Sequence, residues 1–317
     1  MKKNIRRVSR RQFLVVGSFS LGGVCASYSA PLPARAVQEL LAEAGRRVVK
    51  PKLIPAPQTW EANAITAAWL GHSTVLLNFY GLTILTDPVL LKRVGADTCA
   101  GTIGMKRLVE PALKPSQLPA IDLVLLSHAH MDHLDPATLR ELPGTPAVVT
   151  AYETADLLRA TPLKQIQSLG WGDTARITCA SGAVEIEAFE VKHWGARWRY
   201  DKFRGYNGYV ISREGKRLLF GGDTAWTPAF RGLRSKGAFE CAIMPIGAYQ
   251  PWIAVHCTPE QAVRMANDAG AAVFLPIHFK TFALGREGTF EPMERLELAI
   301  EPERIGWRDV GQTRRLS

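Results

Sequence analysis

The chain has 317 residues, of which 47% are hydrophobic and 21% charged, with a formal net charge of +10. That composition suits a soluble globular protein with a large core, and many α/β folds of this length form one unit. The charge does not describe a phosphate-binding surface. Residues 1–36 hold seven basic and no acidic residues, and without them 32 basic residues face 29 acidic ones, a net of +3.

The basic excess reads as an export signal. Ser9-Arg10-Arg11-Gln12-Phe13-Leu14 resembles the twin-arginine motif, and an apolar stretch runs from Phe13 to about Ala30. Pro31 and Pro33 then break any helix, and the small residues of Ala34-Arg35-Ala36 predict cleavage after Ala36. Left uncleaved, the segment would be an N-terminal anchor, although its glycines and serines make it weakly apolar for a membrane span. The expected partner is the twin-arginine export machinery, and the expected location is the periplasm. Cys99, Cys179, Cys241 and Cys257 remain afterwards, with no C-x-x-C pair to suggest a cysteine metal site. An oxidising compartment would permit disulfides, and the sequence leaves their pairing open.

Residues 37–60 form a lead-in, with a short amphipathic helix predicted over Gln38–Arg47 and an extended connector at Pro51, Pro55 and Pro57. A single domain is expected over 61–317. Ile65–Leu70, Thr74–Tyr80 and Leu82–Thr86 read as strands, with Gly81 in a tight turn. Pro88–Leu118 reads as loop. Ile121–Leu126 is a continuous apolar run, which predicts a strand buried on both faces. Asp135 and Pro136 then mark a helix start. Further strands are expected at Ala147–Val149, Val184–Glu187, Gly208–Ile211, Arg217–Phe220, Ala242–Pro245 and Ala272–Leu275, and helices at Thr154–Arg159 and after Thr258. The alternation predicts sheet layers covered by helices. Tyr80, Phe220 and Phe274 read as core, and Lys106-Arg107 as solvated charge.

Ser127-His128-Ala129-His130-Met131-Asp132-His133 follows the buried strand directly. Strand ends are where layered α/β folds build sites. Residues two apart in extended chain point the same way, so His128 and His130 can converge on one ion, while a turn aims Asp132 and His133 at a second. Neutral imidazoles and carboxylates suit zinc and related metals. With seven histidines in the chain, such a string arises by chance with odds on the order of 10⁻⁴. His193, Asp223 and His278 each follow another predicted strand, as a shared rim of ligands would require.

The cluster, followed in order by His193, Gly222-Asp223 and His278, resembles the metallo-β-lactamase superfamily over roughly residues 60–300. The resemblance implies a four-layer αββα sandwich. It implies that His128, His130 and His193 hold one divalent ion, that Asp132, His133 and His278 hold a second, and that Asp223 bridges them. Trp69-Leu70-Gly71-His72-Ser73-Thr74 with Thr86-Asp87-Pro88 is similar to lactonase-like and phospholipase-like members. Pro245-Ile246-Gly247-Ala248-Tyr249, His256, Pro259-Glu260-Gln261-Ala262 and Phe279-Lys280-Thr281-Phe282-Ala283-Leu284 most resemble N-acylphosphatidylethanolamine-hydrolysing phospholipase D. Trp194-Gly195-Ala196-Arg197 departs from that pattern.

These features predict a hydrolase using two metals, expected to be zinc, and a hydroxide bridging them, with Asp132 holding the nucleophile. His256, just before the capping-box pattern Thr258-Pro259-Glu260-Gln261, is expected to bind substrate or deliver a proton. His72 is expected to contact substrate or support a ligand. The leading reading is a phospholipase D-like phosphodiesterase acting on a lipid, with peripheral membrane contact and no nucleic-acid partner. A lactonase or carboxyl-ester hydrolase on the same site is the alternative, and a non-catalytic metal-binding protein the remote one.

Overall fold

The computed structural model describes residues 45–98, 101–198 and 201–317. The twin-arginine-type segment, its cleavage position, most of the Gln38–Arg47 helix and Cys99 lie outside the described residues.

The first three strands, Ile65–Gly71 (β1), Thr74–Phe79 (β2) and Leu82–Thr86 (β3), pair antiparallel in sequence order. The stretch read as loop instead contains a separate hairpin, Arg93–Thr98 (β4) and Gly101–Lys106 (β5). Leu123–Leu126 (β6), Ala147–Ala151 (β7) and Ile166–Leu169 (β8) then add parallel beyond β3. β6 is buried along its whole length, as its unbroken apolar run requires.

A second sheet begins with a meander of Thr174–Cys179 (β9), Gly182–Glu190 (β10), Asn207–Arg213 (β11) and Lys216–Phe220 (β12). Phe239–Pro245 (β13) and Ala271–Ile277 (β14) continue it parallel to β12. A short C-terminal strand, Thr313–Arg315 (β15), returns to the first sheet and pairs with β1.

Helices flank the sheets. Pro136–Glu141 (α1) is capped by Asp135, whose side chain accepts from the backbone of Ala137 and Thr138. It lies beside the first sheet, where Leu90 N donates to Thr138 Oγ1 at 2.9 Å. Pro259–Ala269 packs directly on β13 and β14 of the second sheet as α3, with Ala229–Leu233 (α2) and Glu291–Ala299 (α4) against it. α3 buries Ala262, Val263, Met265, Ala266 and Ala269, the apolar stripe of a 3.6-residue period. The four-layer order is the one the resemblance implied. The helix expected at Thr154–Arg159 is only a single 3₁₀ turn, Ala155–Leu158. No helix among the described residues is long and apolar enough to cross a membrane.

One contiguous apolar core joins the sheets. Tyr209 Oη on β11 donates to Leu126 O on β6 at 2.9 Å, and Asn207 N donates to Ser127 O at 2.9 Å. These bonds bring the ends of both sheets to a common rim. Phe220 and Phe274 are core, as read, and Tyr80 packs against it. Arg107 is not solvated. The β4–β5 hairpin folds it inward to 1% exposure, where it stacks over Phe282 and donates to Val89 O and Val109 O. Burial lowers its pKa to about 9 against the pull of Asp135. Cys179, Cys241 and Cys257 are free thiols.

Candidate metal centre

Five strand ends converge on the rim. β3 delivers Asp87, β6 the histidine-rich loop, β10 His193, β12 Asp223 and β14 His278. The turn between β1 and β2 delivers His72, and the segment before α3 delivers His256. Close backbone approach makes this convergence possible. Gly222 has φ +55, and a Cβ there would lie 2.8 Å from both Asn207 O and Ser127 Cβ. The paired glycines therefore let β12 pass against the loop that carries His128.

Two groups and one further histidine gather around the carboxylate of Asp223. In the first, His128 Nε2 and His130 Nδ1 are 2.7 Å apart, and His193 Nε2 lies 3.2 Å from the same nitrogen. In the second, Asp132 Oδ2 lies 3.4 Å from His278 Nε2, 3.6 Å from His133 Nε2 and 3.0 Å from His72 Nε2. Asp223 Oδ2 stands between them, 3.1 Å from His133 and 3.2 Å from His278 on one side, 3.8 Å from His193 and 4.0 Å from His128 on the other. His256 closes the third side, its Nδ1 4.0 Å from the same oxygen. All nine site residues expected from the sequence therefore meet here, His256 and His72 as buried groups and not as surface loop histidines.

The surroundings fix ring orientation. His133 Nδ1 donates to Asp87 Oδ2 at 2.6 Å, so its Nε2 faces the centre. Ser127 Oγ donates to the same oxygen at 2.5 Å and lies 2.9 Å from His128 Nδ1, while Ser127 N donates to Asp87 Oδ1 at 2.7 Å. His193 Nδ1 donates to Val255 O at 2.8 Å. One buried carboxylate thus orients a ring in each group, a supporting shell typical of metal sites. Trp194 packs edge-on against His130, with ring centroids 4.3 Å apart. Asp87 was legible only as part of the Thr86-Asp87-Pro88 block. Its position at the end of a buried strand is the signal that could have singled it out.

The electrostatics suit a cation. Burial holds His128 and His130 well below the ordinary imidazole range, and lowers His193 to about 4 and His72 and His256 to about 3. These rings are neutral at pH 7, the form in which an imidazole can ligate a metal. Burial opposes charge on His278 too, but Asp223 and Asp132 outweigh it and raise the ring to about 9. For Asp132 and Asp223, burial is outweighed by the histidines, chiefly His133, which hold both carboxyls well below their usual range.

The donor set fits metal ions by a second criterion. His130 Nε2, His133 Nε2, His278 Nε2 and Asp223 Oδ1 are buried without a hydrogen-bond partner. Buried polar atoms are rarely left so, and each costs about 1–3 kcal/mol. His133 Nε2 and His278 Nε2 flank the Asp223 carboxylate, whose Oδ1 is the third such atom at that place, as expected of ligands for a cation. Backbone conformation points the same way: His72, Asp87 and His278 all have positive φ, at 53°, 34° and 64°. Non-glycine residues in that region cost roughly 1–3 kcal/mol each and gather at functional sites.

Fold and site define a class of protein: a layered α/β enzyme built around a His/Asp metal cluster. Residues 83–279 match the profile described as the beta-lactamase superfamily domain. The chain belongs to the metallo-β-lactamase superfamily. An uncharacterized protein of Mycobacterium tuberculosis is 33% identical over 256 residues, covering 77% of this chain and 66% of the relative, slightly under two thirds of its length. N-acyl-phosphatidylethanolamine-hydrolyzing phospholipase D 1 of Caenorhabditis elegans is 29% identical over 250 residues, covering 74% of this chain and 69% of that protein. The crystal structure of isothiocyanate hydrolase from Delia radicum gut bacteria superposes with a TM-score of 0.60 at 20% identity, covering 78% of this chain and 98% of that one.

Proposed function

We propose that the protein is a two-metal phosphodiesterase of the phospholipase D type, acting on N-acylphosphatidylethanolamine-like lipids with two divalent ions, zinc in the first instance. The observation that carries the two-metal reading is Asp223 Oδ2, placed between two groups of converging histidine and aspartate donor atoms. The lipid substrate rests on the sequence blocks around Tyr249, His256 and Phe279–Leu284 and on the likeness to the nematode phospholipase.

His128, His130 and His193 would hold one ion, Asp132, His133 and His278 the other, and Asp223 both. Such ions supply Lewis acidity and bring the pKa of water toward neutrality. Asp132, 16% exposed and more open than Asp223, holds the attacking water by accepting its hydrogen. Asp87, Ser127 and the Val255 carbonyl keep the ligand nitrogens aimed inward. His256, a neutral ring, donates a hydrogen bond from its ring N–H to the departing oxygen from beside the α3 N-terminus, where the backbone favours an anion. The capping box at Thr258 and Gln261 holds that segment.

Two outcomes check this account. His256→Ala should keep both metals and the fold, yet lose ~10²–10⁴ in rate, less on substrates with good leaving groups. A fall in metal stoichiometry would make His256 a ligand instead. Product analysis on zinc-loaded protein separates the chemistries: an N-acyl phospholipid should yield phosphatidic acid and an N-acylethanolamine. Release of free fatty acid, or activity confined to lactones, would favour the carboxyl-ester alternative.

We further propose export through the twin-arginine route to the periplasm, with peripheral contact at the membrane where the lipid lies. Replacing Arg10 and Arg11 by lysine should strand folded protein in the cytoplasm, read by fractionation. Unchanged export would refute that route.

A further inference from the structure

We infer that His72 is a direct donor to the second metal position, beside Asp132, His133, His278 and the shared Asp223. The inference rests on the two-metal reading above and adds a ligand that the sequence comparison did not supply.

A histidine that only steadied Asp132 would need to approach that carboxylate alone. His72 does more. Its ring belongs to a set of four residues, with Asp132, His133 and His278, whose ligand atoms all lie within 4.8 Å of one another. The separations from Asp132 Oδ2 are 3.0 Å to His72, 3.4 Å to His278 and 3.6 Å to His133. Ligand atoms at roughly 2.0–2.2 Å from one five-coordinate zinc stand roughly 3.0–3.6 Å apart, so the distance to His72 falls in the same range as the other two. The ring is also packed among the ligands, with centroids 4.3 Å from His278 and 5.3 Å from His133, and Phe282 edge-on at 5.1 Å.

The backbone is built to put it there. His72 is a non-glycine residue at φ +53, 1% exposed. Three bonds hold it: its N–H donates to Thr281 Oγ1 at 2.7 Å, and its carbonyl accepts from Trp69 Nε1 at 2.8 Å and from His278 N at 3.1 Å. His278, at φ +64, is therefore tied to His72 through the main chain. Two left-handed turns stand back to back, and each delivers an imidazole to one point. The conformational cost of both turns makes sense if both rings bind the same ion. The second position would then draw on five protein groups and the first on four, so the more open position for substrate is the one held by His128, His130 and His193.

Two substitutions separate a ligand from a supporting hydrogen bond. Asparagine tolerates the left-handed conformation, and its amide can still donate to Asp132. Stepwise zinc affinities would be measured by competition with a chromophoric chelator, and the visible spectrum would be recorded on cobalt-loaded protein. Circular dichroism would confirm the fold. His72→Asn and His72→Ala should both weaken one binding step by ~100-fold or more, at or above what loss of a supporting partner costs. The cobalt spectrum should change in both, and the other step should stay as in the wild type. Wild-type affinities and spectrum in His72→Asn would overturn the inference, including the case where only His72→Ala is weakened. A wild-type protein that binds fewer than two ions would sink the two-metal reading and this inference with it.

Discussion

His130→Ala is expected to purify with fewer than two metal equivalents and to lose on the order of 10³-fold or more in hydrolysis. The ring sits at the centre of the first group, its Nδ1 2.7 Å from His128 Nε2 and 3.2 Å from His193 Nε2, and its Nε2 has no hydrogen-bond partner. A metal ion's contribution to transition-state charge is worth several kcal/mol, and each 1.36 kcal/mol is tenfold in rate. The fold should survive, because the half-buried ring leaves no hydrogen-bonded neighbour outside the cluster itself. Elemental analysis and a steady-state assay on the same preparation decide the matter. Full activity, or two tightly held ions in the variant, would remove His130 from the site.

Asp87→Asn has the second large effect, and it acts without touching substrate. Asp87 is buried, and its Oδ2 receives both His133 Nδ1 and the Ser127 hydroxyl, which itself meets His128 Nδ1. The amide keeps the shape and tolerates φ +34. It supplies one acceptor oxygen where the carboxylate supplied two, so its NH2 must face either the Ser127 N–H or the His133 and Ser127 side chains, and one of these donors is left unpaired. Weakening of both zinc-binding steps by ~10–100-fold is the expected result, with kcat falling in proportion at limiting metal. Ser127→Ala should weaken only the step that involves His128. If Asp87→Asn binds both ions as the wild type does, the carboxylate is a structural acid and not the support of the metal site.

Most of the site could be read before the fold was known, because its ligands sit directly after apolar runs. His128 follows a strand buried along its whole length, and Asp223 one that ends in the buried run Leu218-Leu219-Phe220. Asp135 and Thr258 declared their helices through capping chemistry. What escaped lacked a periodic signal or depended on distant neighbours. β8 has two exposed central residues, and β9 alternates around polar side chains at a sheet edge. The β4–β5 hairpin carries Gly95 opposite Gly104 and no core pattern. Thr154 to Arg159 has helix-like composition, but the chain closes one turn there. Arg107 looked like surface charge because the hairpin that buries it is a tertiary feature. Asp87 and Ser127 are 40 residues apart, so their shared role appears only when β3 and β6 lie side by side.

The central claim is that hydrolysis runs on metals held at this His/Asp cluster. The most direct measurement strips the wild-type protein with a chelator, then adds zinc back stepwise while following cleavage of an N-acyl phospholipid and of a bis-aryl phosphodiester. The account predicts an inactive, folded apoprotein whose activity returns as zinc approaches two equivalents, with no recovery in His130→Ala. Phosphodiester cleavage that persists in the metal-free protein, or that His130→Ala recovers in full, would contradict it.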